Sequence, residues 1–468
     1  MNLHISSFFH RKNHRPGTPA SLPVPLITAA LIAVTAAVIV LTLRAALRPT
    51  FRIRHGELLQ YNGSAAQVVI PDNVTAIGDN AFRGCENLID VTIPESVTSI
   101  GASAFRGCTR LKVLTLPNSV TSIGADAFNG CRSLTTAALP EGLTEIAPYT
   151  FIYCDKLTAV TIPGHVTAIG QGAFAGCASL SRINIPRSVA VIDDSAFANC
   201  TCLTDVQMQG ALTKIGAYAF CDCENLAAIT IPETVTSIGD HAFYYDERLR
   251  SIQIPRTVTS IGAYAFYGCR SLSDIDVASR NRDYTSRGGV LYNKALTSVI
   301  CYPAGKYGKS CRLPDTVTTV EDGAFGCCVN LRMVALPLRV VSIGTRAFSD
   351  CPLLESVTMS DGVTSVGARA FAKCPALTGI SLSDGLNTLN EGTFFGCASL
   401  ARVEMPASVR EIDKDAFDGC DALETVYYGG GENDWRQLMT RTADGNDALT
   451  RASIAYHYTP ASLLDDYE

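Results

Sequence analysis

Cysteines are the residues of this sequence that could do the most chemistry, and there are 18 of them in 468 residues. Thiols in this number can form a disulfide framework, bind metal ions or carry redox reactions. The arrangement most similar to a metal site is Cys200-x-Cys202 followed by Cys221-x-Cys223. That spacing is unusual for zinc, so the choice between metal binding and packing depends on where the four thiols lie in the repeat pattern.

Most cysteines recur at one position of a 23-residue repeat. Phe82 is followed by a phenylalanine every 23 residues as far as Phe266, and the register resumes at Phe325 and ends at Phe417, which gives 14 units. A cysteine stands three residues after the phenylalanine in 13 units, and Asp246 replaces it in the other. The 13 are Cys85, Cys108, Cys131, Cys154, Cys177, Cys200, Cys223, Cys269, Cys328, Cys351, Cys374, Cys397 and Cys420.

Apolar residues repeat in the same register. Each phenylalanine is preceded by alanine or threonine and followed six residues later by leucine. Apolar residues such as Val91 and Ile93 then alternate with polar ones, which predicts a short half-buried strand, and a proline such as Pro94 often ends it. A period this short and regular predicts a solenoid, in which each coil buries its apolar face against its two neighbours.

The repeat explains the cysteines without any chemistry. A residue that recurs once per coil between two core positions stacks on its own copies, so we expect a buried ladder of free thiols. A ladder has no scheme of disulfide partners, and Cys200 and Cys223 belong to it, so packing is favoured over disulfides and over zinc. The redox state of the cysteines outside the ladder stays open; these are Cys202, Cys221, Cys301, Cys311 and Cys327. Of these, Cys311 aligns with Val91, and we expect it in the core. His165 and His241 fall at variable positions of their coils and are predicted to be solvated.

The N-terminal region contains an uncharged apolar run at residues 26–43. At about 1.5 Å per residue it covers roughly 27 Å, close to the thickness of a hydrocarbon core. We therefore expect an uncleaved single membrane span, with a cleaved signal peptide as the alternative. Basic residues flank the run on both sides, so charge does not fix its orientation.

Composition argues against several function classes. A net charge of −6 offers no general attraction to nucleic acid. The run Gly429-Gly430-Gly431 is not followed by the lysine and hydroxyl residue of a phosphate-binding loop. No nucleophile, base and orienting carboxylate can be assembled outside the repeat register, so we predict no catalytic residue, no metal ligand and no cofactor.

The repeat, written "LxxVTIPxxVTSIGxxAFxGCxxL", resembles the BspA-like leucine-rich repeat of bacterial surface proteins. The segment 281–306 is similar to the hairpin insertion that these proteins carry between repeat blocks. The resemblance implies an opening strand pair and a closing cap in which Trp435 covers the last coil. We expect an α/β-type repeat solenoid, mostly β and loop, with a right-handed leucine-rich-repeat-like stack, a parallel β-sheet wall and one N-terminal transmembrane helix.

We expect the chain to consist of eight segments. They are a basic tail at 1–21, an anchor at 22–47, an N-terminal cap at 51–73, repeat block 1 at 74–280, a hairpin insertion at 281–312, repeat block 2 at 313–423, a C-terminal cap at 424–458 and a tail at 459–468.

The outward residues of the predicted strands are the candidate ligand wall. They lie two and four residues after the repeat leucine and form no continuous basic, acidic or aromatic stripe. The ten candidates are Asp90, Thr92, Val113, Thr115, Arg182, Asn184, Asp274, Asp276, Arg402 and Glu404.

The family resemblance implies adhesion. We expect a monomeric, membrane-anchored, non-enzymatic protein whose repeats lie outside the cell and bind an unknown protein of a host or a neighbouring cell. The alternative is a structural spacer or envelope scaffold without a specific ligand, and an enzyme is the third class.

Overall fold

The computed structural model describes residues 50–459. The expected tail at 1–21 and transmembrane anchor at 22–47 lie outside the described residues, as do residues 460–468. No helix within 50–459 is long and apolar enough to cross a membrane.

The first of two strand rows is made by the apolar alternation that follows each repeat leucine. Its strands have three or four residues and pair in parallel, each one coil away from the last, as at Gln67↔Asp90 and Arg182↔Asp205. The second residue of these strands, such as Val91 or Ile183, is buried. The exceptions are Cys311, which we expected in the core, and Ile454, and both are half-buried. The row consists of β3 (Gln67–Val69), β5 (Asp90–Thr92), β7 (Val113–Thr115), β9 (Thr136–Ala138), β11 (Ala159–Thr161), β13 (Arg182–Ile185), β15 (Asp205–Met208), β18 (Ser251–Ile254), β20 (Asp274–Val277), β24 (Ser310–Arg312), β26 (Met333–Ala335), β28 (Ser356–Thr358), β30 (Gly379–Ser381), β32 (Arg402–Met405), β34 (Thr425–Tyr428) and β35 (Ser453–Tyr456).

The second row is made by the aliphatic residue five positions before each phenylalanine. These strands have only two residues and also pair in parallel from coil to coil, as at Ile77↔Ile100. The row consists of β4 (Ala76–Ile77), β6 (Ser99–Ile100), β8 (Ser122–Ile123), β10 (Glu145–Ile146), β12 (Ala168–Ile169), β14 (Val191–Ile192), β16 (Lys214–Ile215), β17 (Ser237–Ile238), β19 (Ser260–Ile261), β25 (Thr319–Val320), β27 (Ser342–Ile343), β29 (Ser365–Val366), β31 (Thr388–Leu389) and β33 (Glu411–Ile412).

The third side of each coil is a run of turns around the phenylalanine. In all 14 units the residues two before and two after the phenylalanine have a positive φ, so the chain curls tightly and aims the ring inward. Successive rings stack with centroids 4.8–5.7 Å apart within each block, as for Phe82 on Phe105 and Phe243 on Phe266. The phenylalanines are therefore a continuous stack in the core, as expected for a residue repeated once per coil.

Three irregular segments interrupt or end the stack. At the start, β1 (Phe51–Arg54) and β2 (Glu57–Tyr61) form an antiparallel hairpin. In the middle, β21 (Tyr284–Arg287), β22 (Val290–Asn293) and β23 (Ser298–Cys301) form an antiparallel meander that rejoins the coils where β23 pairs in parallel with β25. At the end are α1 (Glu432–Met439) and α2 (Asp447–Arg451). The buried Trp435 of α1 packs edge-on against Tyr428 of the last coil.

The family resemblance is confirmed at the level of architecture, because the chain from 50 to 459 is a solenoid of parallel stacked coils. Its coils contain strands and turns, and the helices within this range are α1 and α2 near its end. The repeat units are therefore of β and turn type, not of the expected α/β type. The apolar interior falls into two clusters that meet at the meander. One runs from Leu58 to Leu291, and the other runs from Val290 to Leu449.

Candidate binding surface

The cysteine ladder lies in the interior. Twelve of its 13 members are buried, and Cys85 in the first coil is half-buried. In eleven coils the thiol donates a hydrogen bond to the carbonyl oxygen of the phenylalanine one coil earlier, as Cys108 Sγ does to Phe82 at 3.2 Å. Burial raises the pKa of the Cys131 and Cys200 thiols to about 12. The buried thiols of the ladder therefore stay protonated, and protonated thiols are poor nucleophiles and poor metal ligands.

The four cysteines with zinc-like spacing do not converge. Cys200 and Cys223 donate to ladder carbonyls, Cys221 donates to Asp222 Oδ2 at 3.0 Å, and Cys202 is exposed. All 18 cysteines are free, and between residues 50 and 459 no group of three or more His, Cys, Asp or Glu side chains is placed to hold a metal ion.

His165 and His241 differ in their exposure to solvent. His165 is exposed, as predicted. His241 is half-buried, with its ring between Tyr218 and Tyr264 at centroid distances of 4.5 Å and 5.0 Å. Burial lowers the pKa of His241, and its Nδ1 has no hydrogen-bond partner among the described residues. The prediction that His241 is solvated was wrong, because three successive coils place a ring at this repeat position.

The strand row presents the candidate ligand wall to solvent. In β5, β7, β13 and β20 the buried middle residue lies between two exposed ones, so eight of the ten candidates point outward. Arg402 of β32 is also exposed. The wall is therefore an accessible face of the solenoid, which says nothing yet about what it binds.

The candidates are spread along the wall and do not form one site. The residues of β5 and β7 are on adjacent coils, but β13 is three coils beyond β7. At about 4.8 Å per coil this separates Val113 from Arg182 by roughly 14 Å. Asp274 and Asp276 lie four coils further, at the edge where β20 packs against the meander. Arg402 and Glu404 are on the other repeat block.

Glu404 is the candidate that the chain itself partly covers. It accepts a hydrogen bond from Tyr458 Oη at 3.2 Å, and the Tyr458 ring packs against Tyr427 on the neighbouring strand β34. The three side chains line a cavity of about 230 Å³. Glu404 is half-buried, and its carboxylate already accepts a hydrogen bond from within the protein. It is therefore less available to a ligand than the other candidates.

A groove beside the meander is the feature that sequence reasoning missed. It is an open cavity of about 530 Å³ whose lining includes Arg287, Lys306, Tyr307 and Arg312, with Asp315 as the acidic side chain among the lining residues. Tyr307 is 87% exposed, more than the other exposed large apolar side chains between residues 50 and 459, such as Leu338 at 84%. Arg287, Lys306 and Tyr307 come from the insertion, which the 23-residue register does not align, whereas Arg312 of β24 lies within the register.

We compared the chain with known proteins. A family model described as "BspA type Leucine rich repeat region" matches six copies over residues 57–181, 167–288 and 304–424. A solved leucine rich cell surface protein from Faecalibacterium prausnitzii is 28% identical with a TM-score of 0.57, covering 84% of this chain and 98% of that one. A leucine-rich repeat protein from Eubacterium ventriosum is 25% identical with a TM-score of 0.58, covering 70% and 91%. One from Bacteroides ovatus, at 23% identity, a TM-score of 0.50 and coverage of 87% and 97%, supports the fold alone. Comparison with curated proteins gave no match.

Proposed function

Because the chain belongs to the BspA-type leucine-rich repeat family, whose fold is suited to protein–protein interaction, we propose that it is a membrane-anchored cell-surface adhesin. In this proposal residues 26–43 anchor a monomer, the repeats lie outside the cell, and the strand row binds a protein of a host or neighbouring cell. The protein is not an enzyme in this proposal, in keeping with leucine-rich repeat proteins, which are generally non-enzymatic binding scaffolds. The similar protein from Faecalibacterium prausnitzii, described as a cell surface protein, supports this location.

The observation that carries the proposal is the groove beside the meander. Exposed tyrosine and arginine side chains contribute a disproportionate share of binding energy at protein interfaces, and here Tyr307 stands beside Arg287 and Arg312. Arg312 is also an outward residue of β24, so the groove continues the wall. The excess of basic side chains favours a partner with an acidic surface.

A binding experiment with one substitution and one control tests the proposal. Full-length protein, displayed on cells, is titrated with extracellular-matrix proteins and with surface proteins of co-resident bacteria. We expect at least one saturable partner, whose affinity falls about tenfold or more in Tyr307→Ala. Leu338→Ala removes a side chain that is 84% exposed in a turn outside the wall and should leave binding unchanged.

Two results would contradict the proposal. The absence of any saturable partner favours the spacer, whose wall recognises nothing specific. Repeats that resist protease added to intact cells would place them on the inner side of the membrane and overturn the extracellular location.

A further inference from the structure

The coil that crosses from one repeat block to the other is longer than the rest. Tyr302 takes the place of the repeat phenylalanine, since its N–H donates to Ala324 at 2.7 Å and its ring stacks on Phe325 at 5.1 Å. It follows Phe266 by 36 residues, whereas the other units follow one another by 23. The extra residues form the meander, which displaces the Tyr302 coil from the coil before it.

This displacement interrupts the hydrogen bonds between coils. In the preceding unit the N–H groups of His241 and Phe243 donate to Ala263 and Ala265 in the next coil, at 2.9 Å each. The corresponding N–H groups of Tyr264 and Phe266 find no acceptor within residues 50–459. Two backbone donors therefore face the gap between the blocks, and such donors are rarely left unpaired in proteins.

A cavity of about 370 Å³ fills this gap, which is within the usual size range of small-molecule sites. Its floor is the segment from Ile261 to Tyr267, which carries the two unpaired donors. Ile261 is half-buried, although its counterparts Ile238 and Ile343 are buried, so the cavity reaches a position that the next coil covers elsewhere.

Charged and neutral polar groups line the cavity, and the neutral ones include Asn293, whose Oδ1 already accepts backbone N–H groups, and Ser298. The backbone donors are on its floor, and the carboxylates of Glu321 and Asp322 come from the coil of the second block. Asp322 Oδ1 already accepts the Thr345 N–H at 2.6 Å, whereas Glu321 makes no ion pair within the described residues. The lining residues, all of them within the described range, include no Lys, Arg or His.

Tyrosine side chains form part of the cavity lining, and hydrogen bonds hold them in place. Tyr264 Oη donates to the Thr345 carbonyl at 3.1 Å, and Tyr267 Oη donates to Asp350 Oδ2 at 2.8 Å, so both rings are tied to the second block. The Tyr267 ring lies so close to Gly326 that a β-carbon there would overlap it. Burial raises the pKa of Tyr264 to about 12, so the phenol stays neutral. A site held this way is formed before any ligand arrives, which lowers the entropic cost of binding.

The lining selects among ligand classes. An anion would pair with the backbone donors but would be repelled by Glu321 and Asp322. A cation would pair with the carboxylates but would leave the Tyr264 and Phe266 N–H groups unpaired. A hydroxyl group both donates and accepts, so a neutral polyol satisfies both sides, and its C–H faces can pack on the tyrosine rings.

We propose that the cavity between the two repeat blocks, lined by the Tyr264 and Phe266 N–H groups, the tyrosine rings and Glu321, binds a neutral carbohydrate of monosaccharide size. This site is separate from the strand row and from the groove at Tyr307, so it does not depend on the proposed function. It would give the protein a second kind of ligand.

Saturation-transfer NMR on the full-length chain, in a detergent without a sugar headgroup, tests the proposal. The probes are glucose, galactose and N-acetylglucosamine, with gluconate as an anion and glucosamine as a cation. We expect saturable binding of at least one neutral sugar and weaker or no binding of the two charged probes. Binding of gluconate as tight as that of the neutral sugar would overturn the assignment.

Two variants locate the site. Ala263→Trp fills the cavity and should abolish sugar binding, whereas Ala102→Trp places the same side chain at the same repeat position of another coil and should not. Glu321→Gln keeps the shape and should weaken binding about tenfold, which covers the case in which Ala263→Trp fails to fold. No saturable neutral sugar, or sugar binding that survives both Ala263→Trp and Glu321→Gln, would refute the proposal.

Discussion

At the scale of single residues, the ladder cysteine meets two requirements of its position in eleven of the 14 coils. It must be small enough to fit between the phenylalanine and leucine layers, and it must offer a donor to the phenylalanine carbonyl of the preceding coil, as Cys351 does to Phe325 at 3.0 Å. Alanine would meet only the first requirement, and serine would bury a more strongly hydrated hydroxyl. A thiol is a weak donor that costs little to bury.

The ladder predicts a specific pattern of thiol reactivity. In native protein we expect a maleimide to label the exposed Cys202 and the half-buried Cys85 first. The neighbouring Cys108 thiol lowers the pKa of Cys85, which raises its thiolate fraction. Mass spectrometry after labelling measures this, and all 18 cysteines should react after denaturation. Disulfide-linked ladder peptides, or rapid labelling of Cys177, would contradict the ladder.

The coil with Asp246 should be the pH-sensitive one. Asp246 Oδ1 accepts the Cys223 N–H at 2.9 Å, but the buried Oδ2 has no partner within the described chain, and burial raises the pKa of this carboxyl well above its usual range. Above the unfolded pKa of about 4 the unfolded chain gives up a proton that the folded chain keeps, so stability falls as pH rises. One such proton corresponds to about 1.4 kcal/mol per pH unit.

The variants Asp246→Cys and Asp246→Asn test this through urea midpoints measured from pH 4 to pH 7. Both remove the titrating group, so their stability relative to the native protein should increase with pH across this window. Asp246→Cys also restores the ladder. A difference from the native protein that stays constant with pH would mean that Asp246 does not hold a proton in the folded state.

The energetic cost of the positive φ two residues after each phenylalanine can be measured at a site where an added β-carbon meets no neighbouring atom. At Gly84, φ is +71° and a β-carbon would meet nothing within 4 Å, so Gly84→Ala should destabilise by about 1 kcal/mol through backbone strain alone. Gly164 is the control, because it is equally open but has no positive φ. Gly164→Ala should be neutral or slightly stabilising in the same denaturant titration. Equal effects of the two substitutions would contradict the conformational explanation.

At the scale of elements, the phenylalanine stack joins the coils more continuously than either strand row. Phe220 stacks on Phe197 at 5.4 Å and on Phe243 at 5.7 Å, although the coil after Leu226 forms no strand in the first row. Ile229 and Ile231 of that coil are still buried. The interior therefore keeps its packing where the hydrogen-bonded ladder lapses.

Phe220→Ala should lower the free energy of unfolding by about 3 to 5 kcal/mol, because it leaves a cavity between two rings that cannot both close on it. Denaturant unfolding of the full-length protein measures the loss. Leu338→Ala, at a side chain that is 84% exposed, should change it by about 0.5 kcal/mol or less. If the two substitutions had equal effects, the phenylalanine position would not be part of the core.

The sequence predicted the features that repeat and missed those that do not. Periodicity of 23 placed the strands, the buried thiols and the outward residues such as Asp90 and Thr92, because identical coils must meet in register. It could not show that Tyr302 replaces a phenylalanine, that the carboxylate of Glu404 is engaged by Tyr458, or that Tyr307 stands over a groove. Each of these depends on how the meander and the C-terminal segment fold back on the coils, which is a contact between residues with no common register.

At the scale of the whole repeat region, the apolar interior is two cores that meet at the meander. The first ends at Leu291 and the second begins at Val290, so adjacent residues of β22 face different cores. The Tyr267 hydroxyl bridges the blocks through Asp350. In a solenoid, stability is a sum over coils and the interfaces between them, so a weakened interface divides the stack into separate cooperative units.

We therefore expect two unfolding transitions in a denaturant titration of the full-length protein. Phe174→Ala should lower only the midpoint that reports on the first block, and Phe371→Ala only the other, because each ring is buried in one core. Tyr267→Phe removes the hydroxyl that bonds across the junction without opening a cavity, so it should move the two midpoints further apart while changing neither core. Hydrogen exchange on peptides from each block distinguishes the transitions. One transition that shifts as a whole with either phenylalanine substitution would show that the junction transmits stability as well as an ordinary coil does.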